Sequence, residues 1–407
     1  MTVDRRSRTD GQREARSPEE AVGDVIIPAL DGNAGLVAEG IRWLPLAPLT
    51  MLVDDAVWTL RPDARGRVQV TTGEAGEGPV WRMTARDLDD LVEDQTTVMA
   101  LFTSGRLNQP RGRLGQLLDW WLVLRSACDA VPIHTPGALD LTDAHGEPLE
   151  LGRSFGPGDD PRDMRQFLEA AGFLHLTDWY SPGEMAEVSS DMDRAAPSYA
   201  PDDGRSWWAT VDGGSRRLVR MQGFQRHSPT AEALLRGDRL ASVAALTGDG
   251  HQPAEADEAN PIEALFKPIG VIQGISDVPW HKDCSLGRHS YECCRLTVGI
   301  SVTPGGPGTG QLRVVAGSHR ALILPALEQP GLDLPIVALA TGTGDVTVHL
   351  SCTLHMAEPP TVGERRVMYT DCRLPLDPRA AAEGRRRLSE VREAAPTTVS
   401  QPSAAPA

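Results

Sequence analysis

The chain has 407 residues, a net charge of −16 at pH 7 and 40% apolar residues. This length allows two or three domains, each with a sizeable core. The acidic balance argues against general nucleic-acid binding and fits a soluble protein. The sequence contains no run of about 18 apolar residues, so we expect no membrane span. No apolar stretch follows Arg5, Arg6 and Arg8, which argues against a secretory signal.

The first third of the chain is predicted to hold an arm and a small domain. Residues 1–35 are charged and poor in aromatic residues, which predicts a disordered arm. Residues 40–132 are predicted to form an α/β unit. Thr84, with Asp87 three residues later, is typical of a helix start. Alternating apolar residues predict strands at 55–60, 66–70 and 80–83, and a Leu- and Trp-rich segment predicts a helix at 114–130.

The remaining chain is predicted to hold a linker, a larger domain and a tail. Residues 133–160 are rich in Pro, Gly and Asp, as linkers between domains are. The second domain spans 161–377, and Ser181 and Glu184 form a capping box at the start of one of its helices. A single helix is predicted at 231–246. Residues 378–407 are predicted to form a charged helix and then a disordered tail.

A His-x-Asp pair, a distant histidine and an arginine about ten residues beyond it carry the clearest chemistry. On a strand, His281 and Asp283 would point to the same side and could bind one metal ion. A third ligand, His355, would come from another strand. Two imidazoles and a carboxylate bind Fe(II) and leave positions open for a cosubstrate and O₂. The guanidinium of an arginine can donate the two parallel hydrogen bonds that bind a cosubstrate carboxylate.

These motifs resemble the phytanoyl-CoA dioxygenase family of Fe(II)/2-oxoglutarate oxygenases. The resemblance is carried by the segments 279–283, 310–319 and 344–349 and by the His355…Arg ending. It implies an α+β protein whose main domain is a double-stranded β-helix, a relative of the jelly roll, with flanking helices. It also implies His281, Asp283 and His355 as iron ligands, with 2-oxoglutarate and O₂ as cosubstrates.

The same resemblance implies an arginine for the far carboxylate of 2-oxoglutarate, at Arg365 or Arg366. Strand alternation places the two on opposite faces and favours Arg365, whereas counting from His355 allows Arg366. The family likeness also points to Lys267 and Arg220 at the cosubstrate or substrate site. For both residues, a solvated basic side chain is the competing interpretation.

The N-terminal unit resembles, more loosely, a sterol carrier protein type 2-like domain. The strand–strand–strand–helix order and the segment 100–107 carry the likeness, while the sequence departs from the pattern at 108–112. The resemblance implies a lipid-binding domain, and a structural or dimerising domain with an ordinary core is the alternative.

The expected function is hydroxylation of an aliphatic C–H bond in a small lipid-like or secondary-metabolite substrate, with release of succinate and CO₂. Asp283 favours this outcome because related halogenases replace that carboxylate with a small residue. The alternative is a non-catalytic carrier of lipids or metabolites.

The six cysteines are scattered, which fits a reducing cytoplasm. Cys293-Cys294 lacks the spacing of a zinc site, so buried thiols are the favoured interpretation.

Overall fold

The computed structural model describes residues 14–44, 46–103, 105–273, 279–286, 295–324 and 331–375. Within these ranges the chain forms an N-terminal domain (18–132) and a C-terminal domain (161–375), joined by a connector (133–160). The first 13 residues, the adjacent pair Cys293-Cys294 and the predicted helix and tail at 378–407 lie outside the described residues.

From Pro18 onward the chain forms a bent helical stretch that packs against later helices of the N-terminal domain. Its segments are α1 (Pro18–Glu20), a π-helical continuation (Ala21–Ile26), α2 (Ile27–Gly32) and α3 (Ala34–Trp43). The predicted disordered arm is wrong for residues 18–35. Here Val22, Ile26 and Leu30 are buried, and burial of such side chains offsets the entropy cost of ordering.

Within the described chain no single helix is long and apolar enough to cross a membrane. The pair Pro18–Gly32 and Ala34–Trp43, bent by 79°, passes the same test by length and composition.

A mixed sheet and three helices complete the N-terminal domain. Its elements are β1 (Leu49–Val53), β2 (Ala56–Pro62), β3 (Val68–Thr72), β4 (Val80–Met83), α4 (Ala85–Val92), α5 (Val98–Thr103), β5 (Asn108–Arg111) and α6 (Leu114–Asp129). The strand order is β3-β2-β1-β4-β5, with β1 and β4 parallel. The predicted strands and helices are present, whereas β1, β5 and α5 were not predicted. Met51, Trp81 and Trp120 are fully buried in the core.

The connector packs along the C-terminal domain. Ile133 forms a bridge with Leu322, and His134 Nε2 lies 2.8 Å from Asp333 Oδ1. Phe155 is buried in the core of the C-terminal domain. That core therefore begins before the boundary at residue 161 that the sequence suggests.

The C-terminal domain combines two antiparallel sheets with a layer of helices. Its helices are α7 (Pro161–Ala171), α8 (Pro182–Ala195), α9 (Pro229–Leu235) and α10 (Asp238–Ala245). Its strands are β6 (Phe173–Leu176), β7 (Ser206–Val211), β8 (Arg216–Met221), β9 (Gln252–Pro253), β10 (Glu263–Lys267), β11 (Val271–Gln273), β12 (Leu296–Ser301), β13 (Leu312–Val315), β14 (Ile336–Leu339), β15 (Val346–Leu350), β16 (His355–Ala357) and β17 (Arg365–Arg373). The helix predicted at 231–246 is two helices, because the chain breaks at Gly237, the N-cap of α10.

The large sheet has the order β11-β7-β8-β10-β17-β12-β15-β6, with β9 paired to β17, and the small sheet has the order β14-β13-β16. The α+β class is confirmed, and the antiparallel sheets are consistent with a double-stranded β-helix.

Alternation along the central strands gives the large sheet two different faces. Val298 and Ile300 of β12 and Val348 of β15 join helix residues in the main hydrophobic core. The alternate residues of the same strands, including Thr297 of β12 and His349 of β15, point to the opposite face. The candidate metal centre lies on this second, polar face.

Candidate metal centre

A short backbone bridge brings the predicted ligand segments together. His281 and His355 exchange two backbone hydrogen bonds of 2.9 and 3.0 Å, and their ring centroids are 4.3 Å apart. His281 lies in an isolated bridge, and Asp283 begins a 3₁₀ turn. The prediction that both residues lie on one regular strand is therefore wrong. The turn, rather than strand alternation, orients the carboxylate.

The candidate ligand atoms of His281, Asp283 and His355 all lie within 4.8 Å of one another. Asp283 Oδ1 is 3.2 Å from His281 Nε2 and 3.5 Å from His355 Nε2. The Nδ1 atoms of the two rings lie 2.7 Å from Pro279 O and 2.9 Å from Thr353 O. Because a carbonyl only accepts, each Nδ1 carries the proton and each Nε2 presents a lone pair. This donor set fits Fe(II).

The electrostatics of the cluster favour the forms that bind a metal. Burial alone would raise the pKa of Asp283, but His355, His281 and His349 around the carboxylate hold its pKa well below the ordinary value. Burial, with His349 and His281 nearby, lowers the pKa of His355 well below its usual range. At neutral pH the centre therefore offers an ionised carboxylate and a neutral imidazole, as metal binding requires.

The structure places Arg365 and Arg366 in different environments. Arg365 is 2% exposed, its Nη1 donates to Gly310 O at 2.7 Å, and its Nε has no hydrogen-bond partner among the described residues. Burial lowers the pKa of Arg365. Gly305 makes room for this side chain, since a Cβ there would lie 2.8 Å from Nε. A buried guanidinium held by the Gly310 carbonyl and, at 3.4 Å, by the Ser301 hydroxyl fits an incoming carboxylate.

Arg366 points to the opposite face of β17 and is already paired. Its Nη2 lies 2.8 Å from Asp193 Oδ1, and its Nη1 donates to Ser189 O at 2.9 Å, both on α8. Its guanidinium also stacks over Phe266. The side chain therefore ties the sheet to a flanking helix.

The other two predicted basic residues lie on the strands beside Arg365. Lys267 of β10 is the cross-strand partner of Arg365 and is 2% exposed. Arg220 of β8 is one strand further away, where its Nε lies 3.3 Å from Glu263 Oε2 and its guanidinium stacks over Trp207. The structure thus brings Lys267 next to Arg365, while Arg220 forms an ion pair of its own.

One residue of this cluster, His349, was not predicted from the sequence. Its ring is 4.1 Å from that of His355, and its Nε2 lies 3.5 Å from Asp283 Oδ2. One sequence signal was available. In the strand Val346–Leu350, alternation puts Thr347 and His349 on the face opposite the valines.

The sequence was also compared with known proteins. The family model for phytanoyl-CoA dioxygenase matches residues 168–367, which include all three candidate ligands and both arginines. The C-terminal domain belongs to this family. The chain is accordingly an Fe(II)/2-oxoglutarate-dependent oxygenase, with iron and 2-oxoglutarate as its cofactors. No curated protein matches the sequence.

Several solved structures resemble part of this chain. The 2-oxoglutarate-dependent epimerase SnoN from nogalamycin biosynthesis is 19% identical, with a TM-score of 0.39 over 51% of this chain and 79% of its own. AviO1 from Streptomyces viridochromogenes Tue57 is 23% identical, with a TM-score of 0.41 over 54% and 97%. EctD from S. alaskensis, solved with 2-oxoglutarate and 5-hydroxyectoine, is 17% identical, with a TM-score of 0.42 over 60% and 86%.

Proposed function

We propose that the chain hydroxylates an aliphatic C–H bond of a small organic substrate, with His281, Asp283 and His355 as the Fe(II) ligands. The observation that carries this proposal is the closeness of three ligand atoms, all within 4.8 Å, in a family member. When bound, Fe(II) and 2-oxoglutarate would enable O₂ to oxidise the substrate, with release of succinate and CO₂. Lipid-like compounds and secondary metabolites are the proposed substrate classes.

In this proposal, Arg365 binds the far carboxylate of 2-oxoglutarate. The role is supported by the burial of Arg365 and by its Nε–H, which has no hydrogen-bond partner in the part of the chain that the structure describes, because a carboxylate would neutralise a desolvated cation. Lys267, opposite Arg365 in register, adds positive charge at the same place. Arg366 is an unsuitable candidate because Asp193 already neutralises it. Arg220, paired with Glu263, would contribute to the wall of the substrate site.

Asp283 supports hydroxylation as the outcome. A carboxylate at this position completes the protein ligand set, whereas a small residue would leave room for a halide at the metal. Asp283→Gly is therefore expected to lose hydroxylation, measured as hydroxylated product per succinate formed. Unchanged hydroxylation in this variant would mean that the carboxylate ligand lies elsewhere.

A lipid-carrying role for the N-terminal domain stays a prediction. Large side chains such as Trp81 and Trp120 fill its core. A cavity of about 570 Å³ on its surface borders Phe102, Leu107 and Leu114. A non-catalytic carrier function would rest on this cavity, and co-purification of a lipid without iron would favour it.

The test of the proposed function is an anaerobic titration with Fe(II) and 2-oxoglutarate, monitored by the weak visible charge-transfer band of the chelate. We expect about one iron per chain, and loss of the band in His355→Ala. His145→Ala is the control, because His145 is exposed in the connector. A wild-type protein that binds zinc or lipid but gives no band would contradict the proposal.

A further inference from the structure

His349 is a buried imidazole beside the candidate ligands that the proposed function does not use. It is 1% exposed, and neither ring nitrogen has a hydrogen-bond partner among the described residues. A buried polar group without a partner is costly, so such groups in native proteins call for an explanation. One acceptor close to it is the carboxylate of Asp283, whose Oδ2 lies 3.5 Å from His349 Nε2.

The two oxygens of Asp283 have different neighbours. Oδ1 faces the Nε2 atoms of His281 and His355, at 3.2 and 3.5 Å. Oδ2 faces the other way, where it accepts a 2.8 Å hydrogen bond from Thr297 Oγ1 and lies near His349 Nε2. The carboxylate thus has one oxygen on the side of the ligand imidazoles and one on the side of two potential donors.

Strand register fixes this arrangement. Thr297 of β12 and His349 of β15 are direct cross-strand partners in the antiparallel pair, so their side chains lie side by side on the polar face of the sheet. A hydroxyl and an imidazole at this position can donate to the same carboxylate oxygen. The pair therefore forms a rigid support behind Asp283, which itself lies on a turn.

We propose that His349 is a positioning residue, which with Thr297 holds Oδ2 of Asp283 so that Oδ1 is presented to the metal. The proposal rests on the proposed function, since it assumes the iron ligands named there. Outer hydrogen-bond partners of this kind orient a metal ligand, and their loss typically weakens metal binding about 10- to 100-fold. In the metal-free protein, the same imidazole destabilises the folded state, because its nitrogens are buried without full hydrogen bonding.

Two substitutions at His349 separate positioning from a merely structural role. His349→Leu removes the donor and keeps much of the volume, whereas His349→Gln keeps an N–H donor. We expect His349→Leu to weaken Fe(II) binding about 10- to 100-fold in an anaerobic titration and His349→Gln to retain most of the affinity. Thr297→Val should weaken binding in the same direction. His134→Gln is a matched control, because the imidazole of His134, in the connector, also contacts a carboxylate, that of Asp333.

Thermal unfolding of the metal-free protein provides the second measurement. We expect the Tm of His349→Leu without metal to equal or exceed that of the wild type, with a smaller rise when Fe(II) is added. Unchanged Fe(II) affinity in His349→Leu would overturn the inference. Equal losses of Fe(II) affinity in His349→Leu and His349→Gln would also overturn it, because they would indicate a fourth metal ligand. A third contrary result would be a Tm of metal-free His349→Leu below that of the wild type. If the wild-type protein itself binds no Fe(II), the proposed function fails first.

Discussion

The two domains bury charged side chains in different ways. In the N-terminal domain, buried charges have counter-charges from the domain or from the residues just before it: Asp89 pairs with Arg16 at 3.0 Å, and Arg125 pairs with Asp129 at 2.6 Å. The C-terminal domain also pairs a buried charge, Asp191 with Arg194. In addition, however, its Asp283 is surrounded by imidazoles, and its Arg365 forms no ion pair within the described ranges.

This difference distinguishes a structural use of charge from a functional one. A paired charge in a packed core is satisfied when the chain folds, so it has nothing left to offer a ligand. A buried carboxylate among imidazoles, or a buried guanidinium held by a carbonyl, can be completed by a ligand that binds later. The buried charges of the metal centre are therefore suited to binding a ligand, whereas the paired charges of the N-terminal core are suited to a structural role.

The largest effect is expected from removal of a ligand. His281→Ala should abolish iron binding and turnover, because the remaining imidazole and carboxylate cannot hold Fe(II) at a facial site alone. The measurement is bound iron per chain together with 2-oxoglutarate decarboxylation. Retained decarboxylation in this variant would remove His281 from the ligand set.

The second prediction concerns the packed N-terminal core. Trp120 is fully buried and its Nε1 donates to Ala47 O at 2.8 Å, so Trp120→Ala should destabilise the domain by about 3–5 kcal/mol. Trp43→Ala, at an exposed position, should change the free energy of unfolding by about 0.5 kcal/mol or less. Below its unfolding transition, Trp120→Ala should keep the iron–2-oxoglutarate band. Loss of the band in folded protein would show that the two domains depend on each other for function.

The third prediction separates the adjacent arginines. Arg365→Ala should raise the 2-oxoglutarate concentration required for half-saturation about 100-fold, because charge-assisted hydrogen bonds to the cosubstrate are lost. Arg366→Ala loses the contacts with Asp193 and Ser189, so it should lower stability modestly and change the requirement about 3-fold or less. The reverse ranking would move the role to Arg366.

The smallest effect concerns acid stability. His319 is mostly buried, which lowers its pKa to about 4, and its Nε2–H donates to Glu169 O. In the unfolded state, His319 therefore takes up a proton as the pH falls through about 6.5, whereas in the folded state it does so only near pH 4. Stability should be full well above pH 6.5 and should fall by about 2 kcal/mol as the pH drops to 5. Denaturation of His319→Gln between pH 7 and 4.5 should show a shallower loss, and an identical slope would contradict this prediction.

Local signals predicted much of the fold. The N-caps Thr84 and Ser181 begin helices as expected, since a cap and its acidic partner lie within one turn. Burial of the helical stretch from Pro18 was missed because it depends on contacts with α4 and α6, which composition does not reveal.

The candidate site shows the same limit. Alternation along β17 correctly separated Arg365 from Arg366, because both lie on one strand. His349 was missed because its importance depends on register with Thr297, which belongs to another strand. The turn at Asp283 was mistaken for a strand, since a His-x-Asp pair fits either geometry.

The bridge between His281 and His355 also bears on the order of folding. It joins segments that are distant in sequence, and contacts of this kind form late because a long loop must close first. Until this loop closes, the two imidazoles cannot meet. We therefore expect the metal to bind a chain in which this contact has already formed, so that the ions available at that moment compete for a formed centre.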